Sequence, residues 1–292
     1  MGSPASMIMD YQKRLARVTA YIGEHLDDEM TLEELSQVAC FSKYHFHRLF
    51  KAYIGMPLHQ YILWLRLKRA AHQLIVEKKR LILHIALDAG FDSAQAFARA
   101  FKKSCGHTPQ AFRRLGSLEA WETVPFILPP TPNEVMMNVT MKHFPKIRLG
   151  VMTHLGDPQK LGQTAERLVS WAKAQRRDLG PKPGETFGIA PVDPAQVKPE
   201  DFRFDLGISL PDHLRCEGET KEMFLPEGTY AVTMYQGPRA RIGEVVNALY
   251  QKWLPTSGKE LGDFPCVFCY HNFDHEVAAS EHLTEIRLLL TS

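Results

Sequence analysis

Two sets of side chains suited to pairing with a nucleic acid recur 51 residues apart. Tyr44, His47, Arg48 and Lys51 fall at i, i+3, i+4 and i+7, which is one stripe of a helix. Gln95, Ala98, Arg99 and Lys102 repeat that stripe at the same offset. Arg can bond guanine O6 and N7 as a fork, and Gln can do the same with adenine. Lys43, Lys51, Lys102 and Lys103 suit phosphate contacts that set register. The opposite stripes, Phe46, Leu49, Phe50 and Tyr53, then Phe97 and Phe101, are expected in the core. Duplication of a structural helix explains a repeated buried stripe. It gives no reason to repeat an exposed Arg and Lys.

The elements that position these groups read as two helix-turn-helix motifs. Each stripe follows a short helical pattern closed by a small residue and an aromatic: Leu35 to Cys40-Phe41, and Ile82 to Gly90-Phe91. Gly55 and Gly106 suit helix C-termini that need positive φ. Pro57 and Pro109 open new helices. Thr108 reads as an N-cap, and the free N–H groups of such a helix start can hold a phosphate. Ser42 and Thr108 therefore join the phosphate-contact set. From Pro57 to about Lys78 one helix is expected, with Tyr61, Leu65, Ala70 and Leu74 apolar and Arg66, Lys68 and Arg69 interrupting. About 20 residues make a rod of roughly 30 Å, near the ~34 Å of one DNA turn. His45 and His107 are expected as core or cap groups.

The chain has 292 residues and a net charge of +2, which hides an asymmetry. Residues 1–115 hold 17 Lys/Arg against 10 Asp/Glu, or +7; residues 116–292 hold 18 against 23, or −5. Within 36–115 the balance is 14 against 3, preceded by the acidic group Asp27, Asp28, Glu29, Glu33 and Glu34. A polyanion partner for the first half alone follows. No run reaches the ~18 apolar residues of a membrane span, so no membrane partner is expected. The five cysteines are scattered and odd in number, which points to a reducing cytoplasm. Met1 to Ser6 reads as an appended leader and carries no weight in the fold.

Residues 8–115 resemble the DNA-binding domain of the AraC/XylS family of transcription regulators. The matching residues are Leu32-Glu33-Glu34-Leu35 with Ala39, Ser42 through Lys51, Gly55, Ile85-Ala86 with Gly90-Phe91, Phe97 through Lys102, Gly106 through Pro109, and Phe112-Arg113. The resemblance implies that Tyr44, His47 and Arg48 of the first recognition helix, and Gln95 and Arg99 of the second, approach base edges. The second helix departs from the pattern, with alanines at 94, 96 and 98. Its readout then rests on Gln95 and Arg99, and the first helix carries most of the specificity.

Residues 116–136, with Pro125, Pro129, Pro130 and Pro132, read as an extended linker. From 137 to 292 the chain repeats at an offset of about 81. Strand-like Leu149 to His154 precedes a helix with Leu161, Leu168 and Trp171; Tyr230 to Tyr235 precedes one with Ile242, Leu249 and Trp253. Two strands follow each helix: Thr186 to Ala190 and Phe202 to Leu210, then Cys266 to Tyr270 and Leu283 to Leu290. The fold class is thus multidomain: an all-α double helix-turn-helix domain, then an α+β domain of two β-α-β-β repeats with an antiparallel sheet.

This second region resembles the GyrI-like effector-binding domain. The resemblance rests on Phe202 through Asp205, Leu225 through Val232, Tyr235 through Pro238, Trp253 through Gly258, and Pro265 through Asn272. It implies a groove for small molecules, with Trp171, Tyr230, Tyr235, Trp253, Phe268 and Tyr270 as candidate lining. Where the family commonly places Phe-Glu before the Tyr of its last groove strand, this chain has Val267-Phe268-Cys269-Tyr270. The charge that favours cationic ligands is lost, and an apolar or aromatic effector is expected. That missing Glu also weakens an alternative in which the domain is a hydrolase, since nothing else gathers a nucleophile, a base and an orienting group. A third alternative is a protein-interaction module without ligand.

Cys266 and Cys269 look like a metal or redox pair, but residues three apart on a strand face opposite ways. No metal, cofactor or catalytic residue is expected. The sequence therefore reads as a bacterial-type, cytoplasmic and nucleoid-associated regulator of transcription. Its partners are double-stranded DNA, a small effector and RNA polymerase, and it acts as a monomer or weak dimer.

Overall fold

The structure, a computed structural model, describes residues 4–116, 138–175, 184–194, 197–273 and 276–291, with side chains from residue 10 onward. The linker expected over 116–136 lies, from 117 on, outside the described residues. Two compact units are present. One holds Asp10–Phe41 with the described part of Phe50–Leu128; the other holds Ser42–Leu49 with the described part of Pro129–Ser292.

In chain order the helices are α1 (Pro4–Glu24), α2 (Leu32–Val38), α3 (Lys43–Ile54), α4 (Leu58–Val76), α5 (Ile82–Asp88), α6 (Ala94–Cys105) and α7 (Pro109–Leu115). Helix α1 begins at Pro4, inside the stretch that reads as leader in sequence. The two short helix–turn segments repeat bond for bond. Phe41 N–H bonds Ser36 C=O and Phe91 N–H bonds Ala86 C=O, both at 3.0 Å. Both turns need a left-handed residue. The second uses Gly90 (φ 79°), the first Cys40 (φ 52°). Gly55 and Gly106 take positive φ at their helix ends. Thr31, Ser93 and Thr108 cap α2, α6 and α7 by accepting from backbone N–H groups.

Helix α4 spans 19 residues, about 28 Å, and Arg66 and Arg69, two of its three basic interruptions, are ties to other elements. Arg69 forks onto Asp27 at 2.9 and 2.5 Å and also reaches the Asp88 carbonyl at 2.9 Å. Arg66 bonds the Leu26 carbonyl at 2.9 Å. Asp27, from the acidic group ahead of the basic block, thus helps brace the rod at its middle. Around α4, Leu67, Ala70, Ala71 and Leu74 pack with Ile85, Ala86, Phe97, Phe101 and Phe112. The rings of Phe97, Phe101 and Phe112 sit 5.3 Å apart in sequence.

The second unit carries β1 (Val139–Phe144), β2 (Ile147–Leu155), α8 (Leu161–Ala174), β3 (Thr186–Ala190), β4 (Arg203–Ser209), β5 (Lys221–Leu225), β6 (Gly228–Gln236), α9 (Ile242–Ala248), a π-helical turn (Leu249–Trp253), α10 (Leu254–Ser257), β7 (Cys266–Tyr270) and β8 (Leu283–Leu289). The repeats β2-α8-β3-β4 and β6-α9-β7-β8 match the pattern read in sequence. One eight-stranded sheet runs β1-β6-β8-β7-β3-β4-β2-β5, with antiparallel pairing throughout. Each repeat lends an edge strand to the other. Strands β1 and β2 follow one another with two residues between, yet they stand six places apart in the sheet; β5 and β6 do the same. Six steps span about 29 Å in a flat sheet, whereas two linking residues reach about 11 Å. The sheet must therefore curl until its edges approach.

Curling separates two faces. Register places Leu149, Val151, Phe187, Ile189, Val267 and Cys269 on one, where they form a core cluster with Leu225. Glu285 and Arg287 share that face, paired at 2.5 Å, with Arg287 lying 3.9 Å over the Phe144 ring. The other face carries Gly150, Phe204, Gly188, Phe268 and Tyr270, and α8 packs there. The indole of Trp171 lies against Gly150, where an added Cβ would meet it at 3.2 Å.

Candidate nucleic-acid interface and effector site

Helix α6 presents its expected stripe. Gln95, Arg99 and Lys102 are exposed, Ala98 is half-buried, and Phe97 and Phe101 are fully buried. Lys103 and Thr108 are exposed beside them. Gly106 ends the helix in the left-handed conformation, and Thr108 accepts from Ala111 N–H at 3.2 Å to start α7. His107 is exposed, so it is neither the core group nor the cap read in sequence; its carbonyl accepts from the Cys105 thiol.

Helix α3 divides its residues differently. Phe46, Leu49, Phe50 and Tyr53 are buried as expected, and Tyr44, His47 and Lys51 are half-buried. Arg48, expected on the exposed stripe, is only 6% exposed. Its guanidinium lies 3.9 Å from the Asp193 carboxylate and 5.7 Å from the centre of the Tyr250 ring. Two more residues of the same helix face are engaged. Ser42 Oγ donates to Asp263 Oδ1 at 2.7 Å. His45, 1% exposed, accepts at Nδ1 from Tyr250 Oη at 2.6 Å and donates from Nε2 to the Gly262 carbonyl at 3.0 Å. That carbonyl can only accept, which fixes the tautomer. Burial, with the Arg48 charge adding to it and the Gly262 carbonyl opposing, lowers the His45 pKa to about 4. Lys43 lies 5.6 Å from the Tyr44 ring centre. Asp193, Tyr250 and Asp263 carry no local sequence signal, because each meets α3 only through the fold.

The expected effector residues do not form one set. Tyr235, Phe268 and Tyr270 share the helix-side face: Tyr235 and Tyr270 both stand opposite Thr284, from either side of β8. Phe268 stacks on Phe204, with centroids 6.1 Å apart and planes 8° apart. Arg239 lies 5.0 Å from the Tyr270 ring centre, and burial pushes the Tyr270 phenol up. Tyr230 lies on the opposite face, because it pairs with Leu289 and so follows the parity of Glu285 and Arg287. It edges onto Phe144, and burial raises its phenol to about 12. Tyr230 therefore does not join the other aromatics. Trp253 is half-buried in the π-helical turn. Trp171 helps line a cavity of about 540 Å³ with Met152, Glu166, Arg167, Glu217 and Glu219. Its buried Nε1 has no hydrogen-bond partner.

Phe204 and Gly188 belong with the aromatic face, and sequence reading missed both. A Cβ on Gly188 would stand 2.5 Å from Tyr270 Oη and 2.7 Å from Phe204 Cζ. Its glycine is what lets both rings lie across β3. The signal was available, since Gly188 holds the place in the first repeat that Phe268 holds in the second. Cys266 and Cys269 lie on opposite faces of β7 as expected, and burial raises their thiols to about 12 and about 11.

Comparison with known proteins places these features. Residues 137–290 match the GyrI-like small molecule binding domain, and residues 35–115 match a helix-turn-helix domain of AraC type. The right origin-binding protein of Escherichia coli K12 is 27% identical over 259 residues, covering 85% of this chain and 86% of that one. The probable transcriptional regulator YgiV of the same strain is 32% identical over 161 residues, 52% of this chain and 91% of its own. The HTH-type transcriptional regulator YbfP of Bacillus subtilis is 39% identical over 105 residues; the match spans 36% of this chain and 35% of that relative's length. Among the described residues no helix is long and apolar enough to cross a membrane.

Proposed function

Because this chain belongs to the GyrI-like small-molecule-binding family and carries an AraC-type helix-turn-helix domain ahead of it, we propose that it regulates transcription by binding specific DNA under the control of a small effector. The observation that carries the reading is the α6 stripe. Gln95, Arg99 and Lys102 are exposed together on a helix whose Phe97 and Phe101 anchor it in the core. In the proposed complex Gln95 and Arg99 of α6, with Tyr44, His47 and Arg48 of α3, meet base edges. Ser42, Lys43, Lys51, Lys102, Lys103 and Thr108 meet phosphates. The braced α4 rod spaces the two readers by about one turn, so a monomer reads two half-sites.

The effector seat is the aromatic face of Phe204, Phe268, Tyr270 and Tyr235, with Trp171 at its flank. A face of rings with Phe268 in place of a carboxylate favours a flat apolar or aromatic compound. In this reading the ligand leaves chemically unchanged. Effector binding shifts DNA affinity or a contact with RNA polymerase, and the coupling to DNA must be reciprocal. The test titrates duplex DNA at several salt concentrations, with and without an aromatic compound found by thermal-shift screening. Support is a steep fall with salt, a change of affinity with compound, and recovery of the compound intact. Salt-independent, sequence-blind binding overturns the DNA reading.

A further inference from the structure

Three residues on one side of the first recognition helix, Ser42 just ahead of α3 with His45 and Arg48 within it, are each held by a polar group of the sheet-bearing unit, and this side overlaps the DNA stripe at Arg48. Asp193 stands beside Arg48 at 3.9 Å and Asp263 accepts from Ser42 at 2.7 Å. Those are the partners a base edge and a phosphate would otherwise be. Tyr250 fills the space between by bonding His45 and lying beside Arg48. We propose that this is a latch: Asp193 and Asp263 mimic the DNA partners of the first recognition helix and, with Tyr250, hold it in a state that cannot read bases. Arg48 cannot be buried against Asp193 and fork onto guanine at once. DNA binding therefore requires release of Ser42–Leu49 from its seat.

Chemistry favours a reversible latch over permanent packing. The seat is polar on both sides, and each group in it has an alternative partner in DNA or water. The carboxylates come from the acidic half of the chain, and the groups they hold come from the basic half. Tyr250 sits in the π-helical turn that also contains Trp253, one of the expected effector residues. A π turn is an irregular, functionally frequent insertion in a helix, and here it carries the latch residue Tyr250. Apparent DNA affinity is then the intrinsic affinity reduced by the fraction of molecules released.

The inference rests on the DNA-binding reading, and the test separates the two. The full chain is used with a duplex that it, or a latch variant, selects from random sequence. Tyr250→Phe removes one hydrogen bond and should raise affinity about fivefold. Asp193→Ala with Asp263→Ala removes both mimics and should raise it by about tenfold or more. Adding Arg48→Ala to the double variant should abolish most of that gain, because the released side chain is then missing. Unfolding midpoints and circular dichroism confirm that each variant is folded, and Tyr250→Phe serves if the double variant is not. Wild type binding with unchanged affinity in folded latch variants overturns the latch and leaves the DNA reading standing. Failure of every variant to bind any duplex overturns the DNA reading itself, and the latch with it.

Discussion

Lowering the pH from 7.5 to 5.5 should unseat the Ser42–Leu49 segment, through His45. In the seat His45 is neutral, since burial first, and the Arg48 charge with it, holds its pKa at about 4. Released into water it returns to the ordinary 6.5. The Gly262 and Phe264 carbonyl groups and the Asp263 carboxylate push the other way. Tyr250 faces Nδ1, and Asp193 partly offsets Arg48. A seated pKa below the free value means that the seat is fully favoured above 6.5. Its contribution is lost as pH falls from 6.5 toward 4. At pH 5.5 about nine in ten released molecules carry the extra proton and seated ones do not, so the seated-to-released ratio drops about tenfold, or ~1.4 kcal/mol. Fluorescence anisotropy with a labelled duplex at constant ionic strength reads this as a gain in affinity. The quantity to follow is wild type relative to His45→Gln, which cancels any pH effect common to the two proteins. That ratio should rise about tenfold between the two pH values. Parallel pH profiles for the two proteins would refute the reasoning.

Three further outcomes concern stability. Phe101→Ala empties a site in ring contact with Phe97 and Phe112 and should cost about 3–5 kcal/mol in urea unfolding followed by helical signal. Cys40→Gly places at φ 52° the residue type that the second turn already uses at Gly90. It should stabilise by about 0.5–1 kcal/mol in the same assay. In the sheet, Gly188→Ala drives a methyl into Tyr270 and Phe204. It should cost about 1–3 kcal/mol and alter the near-ultraviolet dichroism of the aromatic face.

What was legible in sequence follows from local rules. The two helix-turn-helix motifs announce themselves through caps, glycines and a repeated phase, all of which act within one or two turns of chain. The six strands of the two repeats and their helices are similarly local. The edge strands β1 and β5 were missed, because each is short, mostly exposed and paired with the other repeat. Tyr230 was grouped with the other aromatics although strand parity alone separates it. It sits five residues from Tyr235, and an odd separation on a strand reverses the face. The seat on α3 was beyond any local rule. Arg48 looks like a surface residue on every periodic argument, and only the fold brings Asp193 and Tyr250 to it. Asp27 shows the middle case: its charge was evident, and its place as the anchor for Arg69 depends on the fold.

Selection of bound duplexes from a random DNA pool, by wild type and by Arg48→Ala, tests the central claim most directly. Two unlike half-sites about one helical turn apart are expected for the wild type, with the stronger preference at the α3 half-site. Arg48→Ala should relax one base pair there, at a cost of about 1–3 kcal/mol on the selected sequence. An unenriched pool, or an equal loss of affinity on every sequence with Arg48→Ala, would contradict it.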